Sequence, residues 1–401
     1  MTVVRWPAVT GFEEIAFGRI FEKIERPAAI GAPMVTAYTD GEVTLRSRRD
    51  KIGYHEAANM DGYQGVEPGD FAVHGLDILR GSVGISDSSG AITKVCSICR
   101  PIKRVDLRFV AHAIRAQARS GFIRAMARGI REGGADFRRW GTLAELPIPF
   151  PPFSEQQAIA DYLDRETQQI DELIAEQHGL INTLRERREA VVDSVFGVHD
   201  ANSRMYAACI DVVDCPHTTP EVEVDGGYEA VRTASVRSGR FKAGQGIRVS
   251  ESTWSDRNAA GAPQMGDVLF TREAPAGEAC MVPETNVCLG QRMVLLRVDH
   301  SRVEGRFLMW QIYGRVVQDY FRTHSNGSTV SNVRLPILRG LPIWLPSLDE
   351  QRKVAAYLDD QTSLIDGLIA ESEDLITLSQ ERRAALITAA VTGQIKVRTV
   401  V

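Results

Sequence analysis

The sequence predicts a mixed α/β protein of two unlike globular domains, each followed by one long amphipathic helix. Three observations carry this. Leu146–Val192 recurs without a gap at Leu341–Ile387, charge changes sign with that repeat, and strand-like alternation twice gives way to helical spacing. Tyr162 falls on Tyr357, an offset of 195 residues, and Leu163, Asp164, Ile170, Asp171, Leu173, Ile174, Ala175 and Glu176 keep that register.

Residues 1–145 form the first domain. Its first eighteen residues carry Arg5, Glu13 and Glu14 and lack the basic-then-apolar pattern of an export signal. Glu42-Val43-Thr44-Leu45-Arg46 alternates as a strand does, and the glycine-rich run from Val73 to Val95 suggests strands and turns. Leu107–Met126 then reads as a helix. Cys96-Ser97-Ile98-Cys99 has zinc-like spacing without a second cysteine or histidine pair, so it is read as a strand with two small apolar side chains.

Residues 146–197 hold the first long helix. Prolines 147, 149, 151 and 152 force an extended approach, Ser154 is placed to cap, and Gln157 completes a capping box. Residues 198–340 form the second domain, with a helix expected over Arg306–Arg322. Pro68-Gly69-Asp70 and Met265-Gly266-Asp267 correspond, as do Leu107-Arg108-Phe109 and Gly305-Arg306-Phe307; elsewhere the domains hardly align. Residues 341–401 hold the second long helix, with Asp349 in the capping place and Glu350 favouring the helix dipole.

Along the first helix Ile159, Leu163, Ile170, Leu173, Ile174, Leu180, Ile181, Leu184 and Val191 follow three-four spacing. The second repeats it with Val354, Leu358, Ile365, Leu368, Ile369, Leu375, Ile376 and Leu386. Such narrow stripes are coiled-coil seams. About 40 residues at ~1.5 Å each make a rod of ~60 Å. Glycines 197 and 393 mark the helix ends. Antiparallel pairing of the two helices within one chain, about a pseudo-twofold axis, is the expected arrangement, with Leu163, Ile170, Leu173, Leu358, Ile365 and Leu368 as candidates for partner binding.

Arg100–Glu145 carries eleven basic and four acidic residues, and Tyr228–Gly340 fifteen and ten. The helices reverse this, with four and ten over Ser154–Phe196 and four and nine over Asp349–Ile387. Cationic, arginine-rich domains on anionic helices suit bidentate contacts to phosphate and guanine. The 401 residues, 44% hydrophobic and 25% charged, leave room for two cores, and no apolar run approaches the ~20 residues of a membrane span. Six cysteines are too few for a disulfide scaffold and suit a reduced, cytoplasmic setting. No phosphate-binding Gly-x-x-x-x-Gly-Lys-Ser/Thr loop, His-Glu-x-x-His motif or nucleophile elbow occurs. Phe150-Pro151-Pro152-Phe153 lacks the Asn or Asp of an amino-methyltransferase turn. No catalytic residue and no metal site is therefore expected in this chain.

Leu146-Pro147-Ile148-Pro149 with Glu155-Gln156-Gln157, Leu341-Pro342-Ile343 with Glu350-Gln351, Tyr162-Leu163-Asp164 and Tyr357-Leu358-Asp359 together resemble the central and C-terminal repeats of type I restriction–modification specificity subunits. Glu186-Arg187-Arg188, Glu381-Arg382-Arg383 and Val391-Thr392-Gly393-Gln394-Ile395 fit too. Pro346-Ser347, where the first copy has Pro151-Pro152, departs from the pattern at the helix entry only. The resemblance implies two target recognition domains, 1–145 and 198–340, reading the halves of a bipartite site on double-stranded DNA. It implies helices that bind two methyltransferase subunits, joined by ATP-dependent motor-nuclease restriction subunits. S-adenosylmethionine, ATP and Mg would belong to those partners, with no cofactor in this chain and no membrane.

Candidate DNA contacts are His74, Arg80, Arg138 and Arg139 in the first domain, and Arg272, Gln291, Arg292, Asn326, Ser328 and Arg334, polar residues in glycine-flanked loops, in the second. The rival readings are a non-catalytic coiled-coil scaffold binding acidic partners, and a DNA methyltransferase acting alone.

Overall fold

Strands of two to six residues must pair to be stable, and their pairing sets the architecture of both domains. The computed structural model describes residues 9–49, 62–127, 136–283, 286–324 and 332–397. The chain divides into two compact units, Met1–Gln177 with Asp374–Val401, and His178–Glu373. Each unit thus holds one domain and part of each long helix.

In the first unit Phe21–Ile24, Cys96–Pro101, Phe71–His74 and Val83–Ile85 form an antiparallel sheet in that order. Helix Leu107–Arg119 packs on it, burying Phe109, Val110, Ala113 and Ile114 with Phe17, Phe21 and Phe71. Phe21 lies 4.5 Å from the ring of Phe17 and 5.0 Å from that of Phe71. Asp106 caps the helix by accepting from the N–H groups of Arg108 and Phe109. The continuous helix expected over Leu107–Met126 is broken: Gly121 takes φ +77°, and Phe122–Met126 forms a separate turn. Cys96 and Cys99 sit buried in their strand, and burial pushes both thiols up.

In the second unit Cys209–Asp214, Met293–Val298, Val268–Thr271 and Ala279–Met281 form an antiparallel sheet. Taken in chain order, both sheets run first, fourth, second, third strand. The Gly-Asp landmarks have the same task in each. Gly69 and Gly266 turn the chain at φ +88° and +96°, and the buried Asp70 and Asp267 accept from the backbone of Glu67 and Gln264, three residues back. A second sheet joins Ile247–Val249, Tyr228–Val231 and Val287–Leu289. Here too the expected helix is split, into Gly305–Ile312 and Arg315–His324, at Tyr313-Gly314.

The long helices are Phe153–Phe196 and Leu348–Val391, 44 residues each. In the first unit Ile159, Ala160 and Leu163 share a core with Ile387, Ala390 and Val391. In the second, Val192 and Phe196 share one with Ala355 and Leu358. Arg383 Nε reaches Asp171 at 3.0 Å, and Arg188 Nε reaches Asp366 at 2.9 Å. Within each unit the helical segments therefore run antiparallel. The caps differ from expectation. Ser154 lies inside its helix, whose first bonds run to the Pro152 carbonyl, and Ser347, not Asp349, caps the second by accepting from Glu350 N–H at 3.3 Å.

The expected single stripe is also divided. Ile170, Ile181, Leu184, Ile365 and Ile376 are buried, whereas Leu180, Leu368 and Leu375 are exposed and Thr167, Thr362, Ser372 and Ser379 are buried instead. At ~100° per residue, Leu368 falls well round the helix from the face that Leu358, Ile365 and Ile376 share.

Each domain is bolted to its helix by a fully buried glutamine. Gln156 accepts from Asp106 N–H at 3.0 Å and donates to Pro151 O at 2.8 Å. Gln351 accepts from Glu304 N–H at 2.9 Å and donates to the carbonyls of Arg302 and Pro346. One helical turn or two further on, Arg108 and His112 meet Asp164 at 2.9 and 3.0 Å, while Arg306 and Trp310 meet Asp359 at 2.9 and 2.6 Å.

Candidate nucleic-acid interface

In the first domain the chain's turns gather the four chosen residues. Strand Phe71–His74 ends at His74, whose Nδ1 accepts from Asp77 N–H at 2.9 Å. That bond leaves the proton on Nε2, and burial, opposed by Asp77, lowers the imidazole's pKa, so the ring is neutral at pH 7. Arg80 lies 3.9 Å from Asp77 and is 73% exposed. Gly75 O accepts from Phe137 N–H, and a Cβ on Gly75 would sit 2.7 Å from the backbone nitrogen of Arg138, so only glycine permits this approach. Arg138 and Arg139 share Asp136 at 3.0 and 3.4 Å, with Arg139 81% exposed. The result is a small cationic patch whose exposed heads are Arg80, Arg138 and Arg139.

In the second domain three distant loops converge. A cleft of about 190 Å³ is lined by His217, Arg272, Glu273, Gln291 and Arg292. A neighbouring cleft of about 370 Å³ shares Gln291 and Arg292 and adds Thr219, Pro220, Arg232, Thr233 and Ile247. Arg272 Nη1 holds both oxygens of Asp214 at 2.7 and 2.8 Å and its Nε donates to Val333 O. Its guanidinium is thereby engaged in tying two loops to the sheet. Glu273 Oε2 stands 3.4 Å from Arg292 Nε, and its Oε1 accepts from Asn332 at 2.7 Å. Arg334 is exposed at the entry to helix Leu335–Gly340. Asn326 and Ser328 lie outside the described residues.

Sequence reasoning missed Arg257 and His217. Arg257 Nε donates to Leu289 O at 2.9 Å, and its Nη2 donates to Pro216 O and Thr218 O. It staples the His217 loop to strand Val287–Leu289. The partners are backbone carbonyls some 30 to 40 residues away, so no local pattern announces the contact.

On the helices Leu163, Ile170, Leu358 and Ile365 are buried within the chain, Leu173 is half-buried, and Leu368 is exposed. Those four buried side chains build the interior, and Tyr357, Leu364, Leu368, Leu375 and Leu378 on the second helix, with Leu180 on the first, present apolar surface. Among the described residues no helix is long and apolar enough to cross a membrane, and no group of three His, Cys, Asp or Glu is placed to hold a metal.

Residues 214–377 match the family model of the type I restriction modification DNA specificity domain. A protein of Methanocaldococcus jannaschii, described as a type I restriction enzyme MjaX specificity subunit, is 22% identical over 273 residues, 64% of this chain and 61% of that protein. Residues 214–377 are thus similar to a type I specificity domain. The match spans under two thirds of that relative's length. Two solved structures share the fold of this chain. One, from work on complex assembly and conformational transition of the type I R-M system, has a TM-score of 0.72 at 16% identity, covering 98% of this chain and all of its own. The HsdS subunit from Thermoanaerobacter tengcongensis has a TM-score of 0.53 at 18% identity, with the same coverage.

Proposed function

We propose that this chain is the DNA specificity subunit of a type I restriction–modification complex, supplying address rather than chemistry. Its two recognition domains, 1–145 and 198–340, each read half of a bipartite duplex site, and helices 146–197 and 341–401 dock the partners. The observation that supports this reading is one sheet order built twice from unlike sequences, in a chain whose residues 214–377 match the specificity domain model. A repeated frame with divergent loops is what two readers of different words require.

Phosphate contacts set register and base contacts specify. Arg80, Arg138 and Arg139 with His74 form the first reading surface; Gln291 and Arg292, flanked by Arg272 and Arg334, form the second. Asn326 and Ser328 stay candidates from sequence alone. Two methyltransferase subunits and motor-nuclease restriction subunits complete the complex, with S-adenosylmethionine, ATP and Mg held by those partners and none in this chain. The exposed apolar residues Tyr357, Leu364 and Leu368 belong to the docking face. The setting is cytoplasmic, where the genomic DNA lies.

Duplex binding by the purified chain, measured against salt, tests the reading. Counterion release makes log K fall linearly with log salt, at about −0.9 per phosphate neutralised. Binding to duplex no stronger than to an acidic protein would favour the scaffold reading. Methyl transfer by the chain alone would overturn the non-catalytic assignment.

A further inference from the structure

The link between strands Val287–Leu289 and Met293–Val298 is three residues long, Gly290-Gln291-Arg292. Gly290 N–H donates to Val231 O at 2.9 Å, and a Cβ there would sit 2.3 Å from that oxygen, so the link lies hard against strand Tyr228–Val231. In an extended strand, successive side chains point to opposite faces. Arg292 instead takes φ +67°, fixed by the bond from Arg272 N–H to its carbonyl at 2.9 Å. The left-handed residue breaks the alternation, and Gln291 and Arg292 both line the same two clefts.

Each side chain is also aimed. Gln291 Nε2 donates one hydrogen to His217 O at 3.1 Å, which fixes the amide plane and leaves a second N–H and the carbonyl oxygen as a donor–acceptor pair. Glu273 holds the Nε edge of Arg292 at 3.4 Å, and a guanidinium carries further donors in a planar fork. The carboxamide pair matches the N6 and N7 edge of adenine, and the fork matches O6 and N7 of guanine. Consecutive Cα atoms stand ~3.8 Å apart and stacked base pairs ~3.4 Å, so neighbouring residues can address neighbouring bases.

We infer that Gln291 and Arg292 form a two-base reader, and that the half-site of the second domain contains an adenine and a guanine at adjacent base pairs. This rests on the DNA-reading function proposed above and adds the bases read. His217 and Arg257 are positioning residues, one orienting the amide and the other holding the loop that does so.

The test is enrichment of randomised duplexes by the full-length chain, alone and with any methyltransferase subunits that co-purify. It is followed by affinity measurements on single-base variants of the enriched site. Gln291→Met should relax the adenine position and Arg292→Asn, which tolerates the left-handed backbone, the guanine position. Each should cut discrimination by about 5- to 150-fold at its own base pair, with the other positions unchanged. Arg257→Gln, which frees the loop that orients the amide, should relax the adenine position while leaving the first half-site intact. Should Arg292→Asn fail to fold by its melting curve, the Gln291→Met profile decides alone. An enriched site without adjacent adenine and guanine in one half, or an unaltered preference in folded variants, overturns this inference and leaves the DNA-reading function standing. Failure to enrich any duplex overturns that function itself.

Discussion

The two domain–helix junctions use one carboxylate in two chemistries. Asp164 and Asp359 are the same repeat position, and each takes the arginine at the second position of the domain helix, Arg108 or Arg306. Four residues on, the first junction has an imidazole, His112 Nε2 at 3.0 Å, and the second an indole, Trp310 Nε1 at 2.6 Å. Around them the contrast widens. Arg188 lies 5.2 Å over the ring of Trp310 and 5.9 Å over that of Tyr313, whereas its counterpart Arg383 faces Arg115 and Arg119. Burial, with Arg383 and Arg119 nearby, pushes the Arg115 guanidinium down to about 10. The repeated helix holds its geometry while the domain side diverges, because a carboxylate accepts equally from any aligned N–H. One junction is consequently titratable and crowded with like charge, and the other is aromatic and indifferent to pH near neutrality.

The largest effect should be common to both junctions. Leu163→Ala and Leu358→Ala each empty a fully buried site and should cost about 2–5 kcal/mol, by denaturant titration. A difference between them beyond ~2 kcal/mol would show that the two cores are not equivalent. Next, Asp164→Ala should cost more than Asp359→Ala, within about 1–3 kcal/mol, because it strands a buried imidazole and removes a carboxylate that favours the charged Arg115. Amide exchange in Leu107–Arg119 and in Gly305–Ile312 reads the two separately, and equal loosening would break the comparison.

The pH dependence should be confined to the first junction. Burial, opposed by the bond to Asp164, lowers the pKa of His112, so the unfolded state binds the proton more readily and stability rises with pH through that window. Protection of Leu107–Arg119 should therefore fall as pH drops below ~6.5. His112→Gln should flatten that fall, and Gly305–Ile312 should show none. The smallest effect on stability belongs to the exposed helix face. Leu364→Ser should change stability by less than ~0.5 kcal/mol yet weaken methyltransferase co-purification, while Gln169→Ser at the matching position of the first helix should leave both unchanged. Unaltered co-purification of Leu364→Ser would remove that residue from the docking face.

What was legible in the sequence follows physical locality. The long helices were, because their repeat and three-four spacing are written within 44 residues. Their caps were misplaced, because the Pro152 carbonyl and Ser347 lie just ahead of the residues whose type looks like a cap. The division of the stripe was hidden because a leucine scores as apolar whether it faces inward, as Leu358 does, or outward, as Leu368 does. Shared sheet order was beyond reach: strands of three to six residues with unlike side chains leave only the Gly-Asp turns as a trace. Gln291 and Arg292 could be chosen as polar loop residues, but the cleft they share depends on a left-handed backbone and on carbonyls 74 residues away.

The cross-ties Asp171–Arg383 and Asp366–Arg188 have a consequence for how the helices tolerate change. Each joins the aspartate of one repeat copy to the arginine of the other, so a single pair of sequence positions serves as two latches. One inserted residue between Asp171 and Arg188 rotates everything beyond it by ~100°, and both latches cannot then close together. Lengthening both helices by the same near-whole number of turns keeps each aspartate level with its arginine, which makes the rods adjustable in steps and resistant to slippage in between.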